Sequence, residues 1–581
     1  MENISWFLLT EDLHALILLF MSYRFPELEY TPTDYEAIKS RLDVLTERMI
    51  TSLDFSTADT VLREYDAMLE EAEYQSMLAY IHSSQDSSDE YWQKAYVAEA
   101  QGMSLLDRTP FLKAVLDSPF RTSLERKYGR FLFDRLEVQI RTGSQAHEER
   151  AREEELTSRY QQLKAMIRAE YKGKICSESE LRALFTSPSR EERIESRKAV
   201  CKAFLEKRDE FASILTELID VRNKIAEKNG YSNYLEYMDD VYCRSSYGEA
   251  EMNAFVSEVK REILPIIQDI HEESRKSLNL DKLMSYDADM YFADGNAKPK
   301  GDADFLTKAA ERMYDDLDPE FSRFFTSMVE SESLDVAPAP GKVAGMGFCT
   351  NLKRGMLPFV FGSMNGTVWD VAVFTHEVGH SWQGYLSDRN LSLNMQRETP
   401  LDSIEIPSKT MELFSYRYAE EFFKEDADKF RYGHFRDAVK EIAGYCSCHE
   451  MNTWIYTHVG SSFEEIVRAC RSIEKEYAPD ISEGELEEYL DEGANLLRNM
   501  GVFMFPRYLI SYSLSEMCAL DLFALMNKDR KEAMETYNKL CSSAAGRSYP
   551  EILSAAGLEC AYAPGRVKRT AEFVRKYMKN H

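Results

Sequence analysis

Polar and apolar positions along this chain repeat mostly with a helical period. Residues 35–83 carry amphipathic helical patterns, and the stretch Ser83-Ser-Gln-Asp-Ser-Ser-Asp89 reads as a polar loop. Residues 89–170 predict long charged helices, ending in Ala165-Met-Ile-Arg-Ala-Glu-Tyr-Lys-Gly-Lys-Ile-Cys176. Lys172-Gly173 has the composition of a short hairpin turn. A further helix-rich run extends from Arg190 to Lys276, while Asp294 to Gly301 and Ala337-Pro-Ala-Pro-Gly341 break as loops. Strand-like text is confined to two short stretches, around 343–349 and 357–362. The pattern predicts a mainly α fold with a small sheet, and no repeat or low-complexity segment.

One helix stands out by what it carries. Val371, Val373, Phe374, Val378 and Trp382 form its apolar set, and no proline interrupts from Asn365 to Thr399. Asn365-Gly366-Thr367 reads as the break before it, and Asp370 adds a carboxylate near its positive end. Within it lies His376-Glu377-Val378-Gly379-His380. On a helix the two histidines stand one turn apart on one face, so both imidazoles can bind a single zinc ion. Glu377 beside them can take a proton from metal-bound water. With 10 histidines in 581 residues, His-Glu-x-x-His arises by chance in roughly a few chains per hundred. Coincidence is therefore the weaker reading, and the surroundings decide.

A catalytic zinc site usually has three protein ligands and leaves a place for water. Two carboxylates compete for the third position. Glu398 lies 18 residues after His380, close to the spacing of thermolysin-like and aminopeptidase-like enzymes, but Thr399-Pro400 follows it at once and implies a turn. Glu405 lies 25 residues after His380 and leads into Ile-Pro-Ser-Lys-Thr-Met-Glu-Leu-Phe, a helical start with Pro407 near the first turn. Glu412 follows seven residues later on the same face, as expected of a carboxylate that orients a ligand from behind. Glu405 is the better candidate.

These elements resemble the thimet oligopeptidase/oligoendopeptidase F (M3) family of zinc metallopeptidases. The resemblance rests on His376-Glu377-Val378-Gly379-His380 and on Glu405-Ile406-Pro407-Ser408 with Glu412. Residues 349–364 resemble the segment before the zinc helix, which in the family offers substrate an edge strand. Tyr286-Asp287, Asp294-Gly295-Asn296 and Lys298-Pro299-Lys300 match another family region, as do Arg222-Asn223-Lys224-Ile225-Ala226, Gly230-Tyr231 and Tyr234. The resemblance covers roughly residues 100–570. It implies a large helical peptidase whose two lobes enclose a deep central channel, with a small sheet beside the zinc helix. His376, His380 and Glu405 would hold one zinc ion (Zn2+) per chain, with Glu412 behind them. Glu377 would act as general base on zinc-bound water and pass the proton to the leaving amine. Tyr508 and Tyr512 would donate to the developing oxyanion. The sequence departs from the family where a histidine is usual: no histidine lies between 459 and 580, and Gly501 falls at about that place. Arg507 is adjacent, and Thr453 stands at another position where relatives often have histidine.

Composition bounds the remainder. A chain of this length is long for one compact domain, and an N-terminal helical region over 1–185 and a zinc peptidase domain over 186–581 are expected. Hydrophobic residues make up 44%, which excludes global disorder. A net charge of −29 argues against nucleic acid and anionic membrane as partners. Ten scattered cysteines suit reduced thiols in the cytoplasm. Cys446-Ser-Cys448-His449 does not make a second metal site, because positions 446 and 448 diverge on a helix. The apolar run Leu13–Phe20 is too short to span a membrane and lacks a basic flank, so residues 1–20 read as an extension, with Met21 as an alternative start. The primary functional expectation is an endopeptidase acting on short peptides. A related C-terminal dipeptidase or carboxypeptidase, and a low-turnover zinc-containing peptide-binding protein, are the alternatives.

Overall fold

The first amphipathic stretch folds as two helices, Tyr35–Ile50 and α1 (Phe55–Gln85). Asp34 and Asp54 cap them by accepting from the backbone N–H groups of Ala37 and Thr57. The computed structural model describes residues 23–143, 145–244, 246–343 and 346–581. The reading of residues 1–20 as an extension lies outside them, as does part of the 343–349 strand expectation. Helix α1 runs through Ser83 and Ser84, which the sequence assigned to a loop, because both hydroxyls donate back to the Tyr80 carbonyl. The loop is shorter and begins at Asp86.

The charged region that follows is five short helices rather than long ones: Glu90–Ser104, Thr109–Leu116, Arg121–Tyr128, Arg130–Gly143 and His147–Ala165. Pro110 opens the second, and Gly129 at φ 92° closes the third in a conformation that favours glycine. Leu45, Val61, Leu62, Phe111, Leu124 and Phe133 close the core of this N-terminal region. Strands β1 (Ala169–Tyr171) and β2 (Lys174–Cys176) pair antiparallel around Lys172 and Gly173. Both turn residues have positive φ, 49° and 77°, the backbone of a two-residue hairpin. Helix α2 (Arg208–Lys228) then packs on His147–Ala165, and its Phe211, Leu215 and Leu218 share a second core with Phe503.

The small sheet has the order β3-β5-β4, with β3 (Leu334–Asp335) parallel and β4 (Phe348–Thr350) antiparallel to the fully buried β5 (Phe359–Phe361). The two-residue β3 carries no alternating pattern and was not expected. β4 is an edge strand, and its Cys349 Sγ lies 3.1 Å from Ser381 Oγ on helix α3 (Val368–Asp388). Around α3 gather α4 (Leu401–Phe414), α5 (Ala427–Thr457) and α6 (Ile510–Lys528), whose Val378, Trp382, Ile406, Met411, Val439 and Leu514 belong to the largest core. Helices make up 71% of the structure. The expected mainly α architecture with a small sheet beside α3 is the one observed. Among the described residues no helix is long and apolar enough to cross a membrane.

Two features fix how α3 meets α4. Helix α4 begins at Leu401, directly after Pro400, so Pro407 lies inside the helix and not in its first turn. A proline there cannot donate to the carbonyl one turn back. Its own carbonyl accepts from the Tyr537 hydroxyl at 3.1 Å. Opposite it, a Cβ on Gly379 would stand 2.8 Å from both the Pro407 carbonyl oxygen and the Ser408 Cα. Glycine alone permits that backbone contact.

Gly379→Ala should therefore destabilise the protein by about 1–3 kcal/mol through overpacking. Gly444→Ala, at an exposed helical position with nothing within 4 Å of the new Cβ, should be neutral or stabilise by up to about 1 kcal/mol. Urea unfolding of the two variants beside the parent checks both signs.

Candidate metal centre

Thr367 is the N-cap of α3, and Asp370 accepts from the backbone N–H of Asn365 (3.0 Å) and Gly366 (2.6 Å) at the helix's positive end. Two turns further on, His376 and His380 project side by side, their rings 4.8 Å apart and nearly perpendicular. The contact at Gly379 brings α4 across them. Glu405 Oε2 lies 3.1 Å from His376 Nε2 and 3.2 Å from His380 Nε2. Among the described residues, these three offer donor atoms all within 4.8 Å of one another.

The donor chemistry fits a metal. Two imidazole nitrogens and a carboxylate oxygen can all offer lone pairs, and their convergence suits a cation among them. Ligands on a tetrahedral zinc at about 2.0–2.1 Å are roughly 3.3 Å apart, close to the separations found here. Burial opposes charge on His376, yet the Glu405 and Glu412 carboxylates hold its pKa well above the usual value. Burial likewise opposes charge on Glu405, and the two histidines hold its pKa well down.

Behind the ligands lies a buried chain of charges. Glu412 Oε1 is 2.6 Å from His376 Nδ1, which leaves Nε2 facing Glu405. The other Glu412 oxygen meets His434 Nε2 at 3.0 Å, and His434 Nδ1 meets the Tyr416 hydroxyl at 2.6 Å. Lys409, one turn before Glu412, reaches Glu412 at 3.5 Å and Glu441 at 2.9 Å. His434, Tyr416 and Lys409 escaped the sequence reading. Lys409 left a trace there, as the one cationic residue of α4.

Glu377 is buried, and its Oε1 would lie 3.6 Å from a Cβ on Gly347, at the start of the edge strand. Tyr512 sits in the first turn of α6, whereas Tyr508 precedes that helix; their rings are nonetheless 5.9 Å apart. Burial, the Glu405 carboxylate and Tyr508 raise the Tyr512 phenol, and burial and Glu405 raise Tyr508. Both therefore stay protonated at neutral pH and can donate. Glu398 is elsewhere, largely exposed and paired with Arg135. Cys446 and Cys448 turn to different partners, Ser513 and Asn499, and His449, next after Cys448, is buried with neither ring nitrogen hydrogen-bonded.

Around Gly501 the packing is closed. A Cβ there would come within 2.5 Å of Leu509 Cδ1 and 2.6 Å of Cys448 Sγ. Arg507 points away from the centre, donating to Asp239 (2.6 Å) and Glu249 (2.9 Å). Neither position supplies a donor in place of the histidine.

Comparison with known proteins agrees with this geometry. A family model described as Peptidase M3 N-terminal domain matches residues 25–143, and one described as Peptidase family M3 matches residues 183–562. No curated protein sequence matches the chain. A solved putative oligoendopeptidase F is 28% identical with a TM-score of 0.89, over 96% of this chain and 99% of its own. PZ peptidase A with an inhibitor is 27% identical, with the same TM-score and coverage. A putative oligoendopeptidase F from Bacillus anthracis is 28% identical, TM-score 0.83, again over 96% and 99%.

Glu516 on α6 offers a test of the buried charge balance. Neither of its oxygens has a hydrogen-bond partner, and Lys409 Nζ is 3.7 Å away. Burial pushes its pKa up to about 8, with Lys409 opposing and Glu412 and Glu441 adding. The folded value lies above the unfolded one, so stability from the neutral carboxyl is full below about pH 4.5 and is lost as pH rises to about 8. Glu516→Gln should gain stability relative to the parent across that window, read by urea unfolding at successive pH values. A difference that stays flat would mean the carboxyl is ionised throughout.

Proposed function

We propose, for a chain that belongs to peptidase family M3, that it is a zinc-dependent endopeptidase of short oligopeptides, with His376, His380 and Glu405 as ligands and Glu377 as general base. Membership makes the protein a metallopeptidase. The observation that carries the finer reading is the convergence of His376 Nε2, His380 Nε2 and Glu405 Oε2 at 3.1–3.2 Å.

Zinc bound by these three would supply a Lewis acid that polarises the scissile carbonyl and makes water more acidic. The protein's own groups do the rest. Glu412 accepts the Nδ1 proton of His376 and so fixes the tautomer whose Nε2 lone pair faces the ligand site. Lys409 and His434 offset the Glu412 charge. The Glu377 carboxylate takes the proton from attacking water and returns it to the leaving amine. Tyr512, with Tyr508 beside it, donates to the oxyanion. The open edge of β4 beside Glu377 suits an extended peptide that adds a strand there. Ten unpaired cysteines favour a reducing compartment, the cytoplasm.

The test is an end-blocked, quenched fluorogenic peptide with and without a zinc chelator. Chelator-sensitive cleavage is expected, with Glu377→Gln at least about a hundredfold slower while zinc content is unchanged. Cleavage confined to peptides with free C-termini would replace this reading with a carboxypeptidase, and peptide binding without products would replace it with a binding protein. Separately, Glu412→Gln should weaken zinc binding about 10- to 100-fold in chelator competition.

A further inference from the structure

Arg244 is almost wholly buried and lies in a segment that bears none of the site residues described above. Its guanidinium is bonded to two elements at once. Nε and Nη2 donate to the Asp402 carboxylate at 2.8 Å each, a bidentate pair with both side chains fully enclosed. Asp402 is in the first turn of α4, three residues before Glu405, and so on nearly the same face. The same Nη2 also donates to the Arg507 carbonyl at 3.1 Å and the Ser511 hydroxyl at 3.0 Å. Those two residues flank Tyr508, and Ser511 adjoins Tyr512. Ser511 closes the triangle by donating to Asp402 Oδ1 at 2.5 Å, and Tyr247 donates to the other oxygen.

The backbone between the tyrosines and the preceding helix is not held by its own geometry. Arg507 has φ +64°, a left-handed conformation that a bulky residue adopts only when its surroundings impose it. Its side chain is drawn to Asp239 and Glu249, and its carbonyl is received by Arg244. Arg222, also buried, fastens the earlier carbonyls of Val502 and Phe503, at 3.3 and 2.7 Å. Of the three buried arginines, Arg244 is the one bonded to both the tyrosine segment and the helix of Glu405, where it reinforces the direct Ser511–Asp402 bond.

We propose that Arg244 is a positioning residue for the reaction: through Asp402 on one side and Arg507 and Ser511 on the other, it sets the distance of Tyr508 and Tyr512 from the Glu405 end of the metal centre. The inference rests on the proposed role of Tyr512 as an oxyanion donor. A donor must sit within hydrogen-bond reach of where charge develops, and a displacement of about 1 Å can cost about a hundredfold in rate. Lysine keeps the charge at position 244 but cannot serve Asp402 bidentately and the tyrosine segment together.

The experiment compares Arg244→Lys, Ser511→Ala, Tyr512→Phe and the double variant Arg244→Lys/Tyr512→Phe, each as the full zinc-loaded chain well below its unfolding temperature. We expect Arg244→Lys to lower kcat about 10- to 100-fold with KM and zinc stoichiometry unchanged. Ser511→Ala, which spares the ion pair and keeps the protein folded, should lower kcat less and in the same sense. In the double variant the arginine change should cost less than about twofold beyond Tyr512→Phe, because the donor it positions is gone. A normal kcat in Arg244→Lys and Ser511→Ala, or losses that multiply independently in the double variant, overturns the proposal and leaves the donor reading intact. A normal kcat in Tyr512→Phe overturns the donor reading and this proposal with it.

Discussion

The candidate metal centre depends on one backbone contact. Helices α3 and α4 meet where Gly379 has no side chain, so the carbonyl of Pro407 and the Cα of Ser408 can enter the space a Cβ would fill. That approach sets the separation of the two helices, and with it the 3.1–3.2 Å between Glu405 and the two histidines. Ligand geometry is then a matter of helical pitch: His376 and His380 are one turn apart on one helix, Glu405 and Glu412 two turns apart on the other. Pro407 contributes from within α4. It leaves its helix without one internal hydrogen bond, and its outward carbonyl is claimed by Tyr537.

Bringing the helices that close buries charge that apolar packing would not tolerate. Glu405, Glu412 and Glu516 are enclosed with His434 and Lys409, and the half-buried His376 and His380 border them. Taking such ions from water costs several kcal/mol each, and mutual attraction recovers that only when geometry is good. Burial, against Lys409 and with Glu412 and Glu441 adding, pushes the pKa of the Glu516 carboxyl up to about 8. A cluster selected for stability alone would be replaced by hydrophobic residues of similar volume. Its presence at the convergence of three metal-capable donors fits a functional site.

The parts of this arrangement legible in sequence were those governed by local periodicity. The spacing His376–His380, the apolar set around it and the shared face of Glu405 and Glu412 follow from 3.6 residues per turn, and all are found in the structure. The chain punctuators were read less well. Pro407 suggested a helix start, yet α4 begins at Leu401 and runs through it, held there by the close packing of Pro407 and Ser408 on Gly379. Ser83 and Ser84 suggested a loop but continue α1 by bonding back to Tyr80. The contacts that sequence could not show are those between distant segments. Arg244 and Asp402 are 158 positions apart, and no pattern within either segment announces the other. The same holds for His434, which reaches Glu412 from α5.

The residue missing from the family pattern gives this long-range network its weight. A side chain at Gly501 would collide with Leu509 and Cys448, and the neighbouring Arg507 is committed to Asp239 and Glu249. Position 501 is closely packed and carries no side chain, so, on the proposed mechanism, stabilisation of the oxyanion falls to Tyr508 and Tyr512. Fewer donors make each one's placement more consequential, since electrostatic stabilisation depends on dipoles already aimed when charge develops. A tyrosine segment entering α6 through a left-handed arginine would be poorly defined on its own. Buried guanidiniums at 222 and 244, bonded to its carbonyls, supply the rigidity that its local conformation does not.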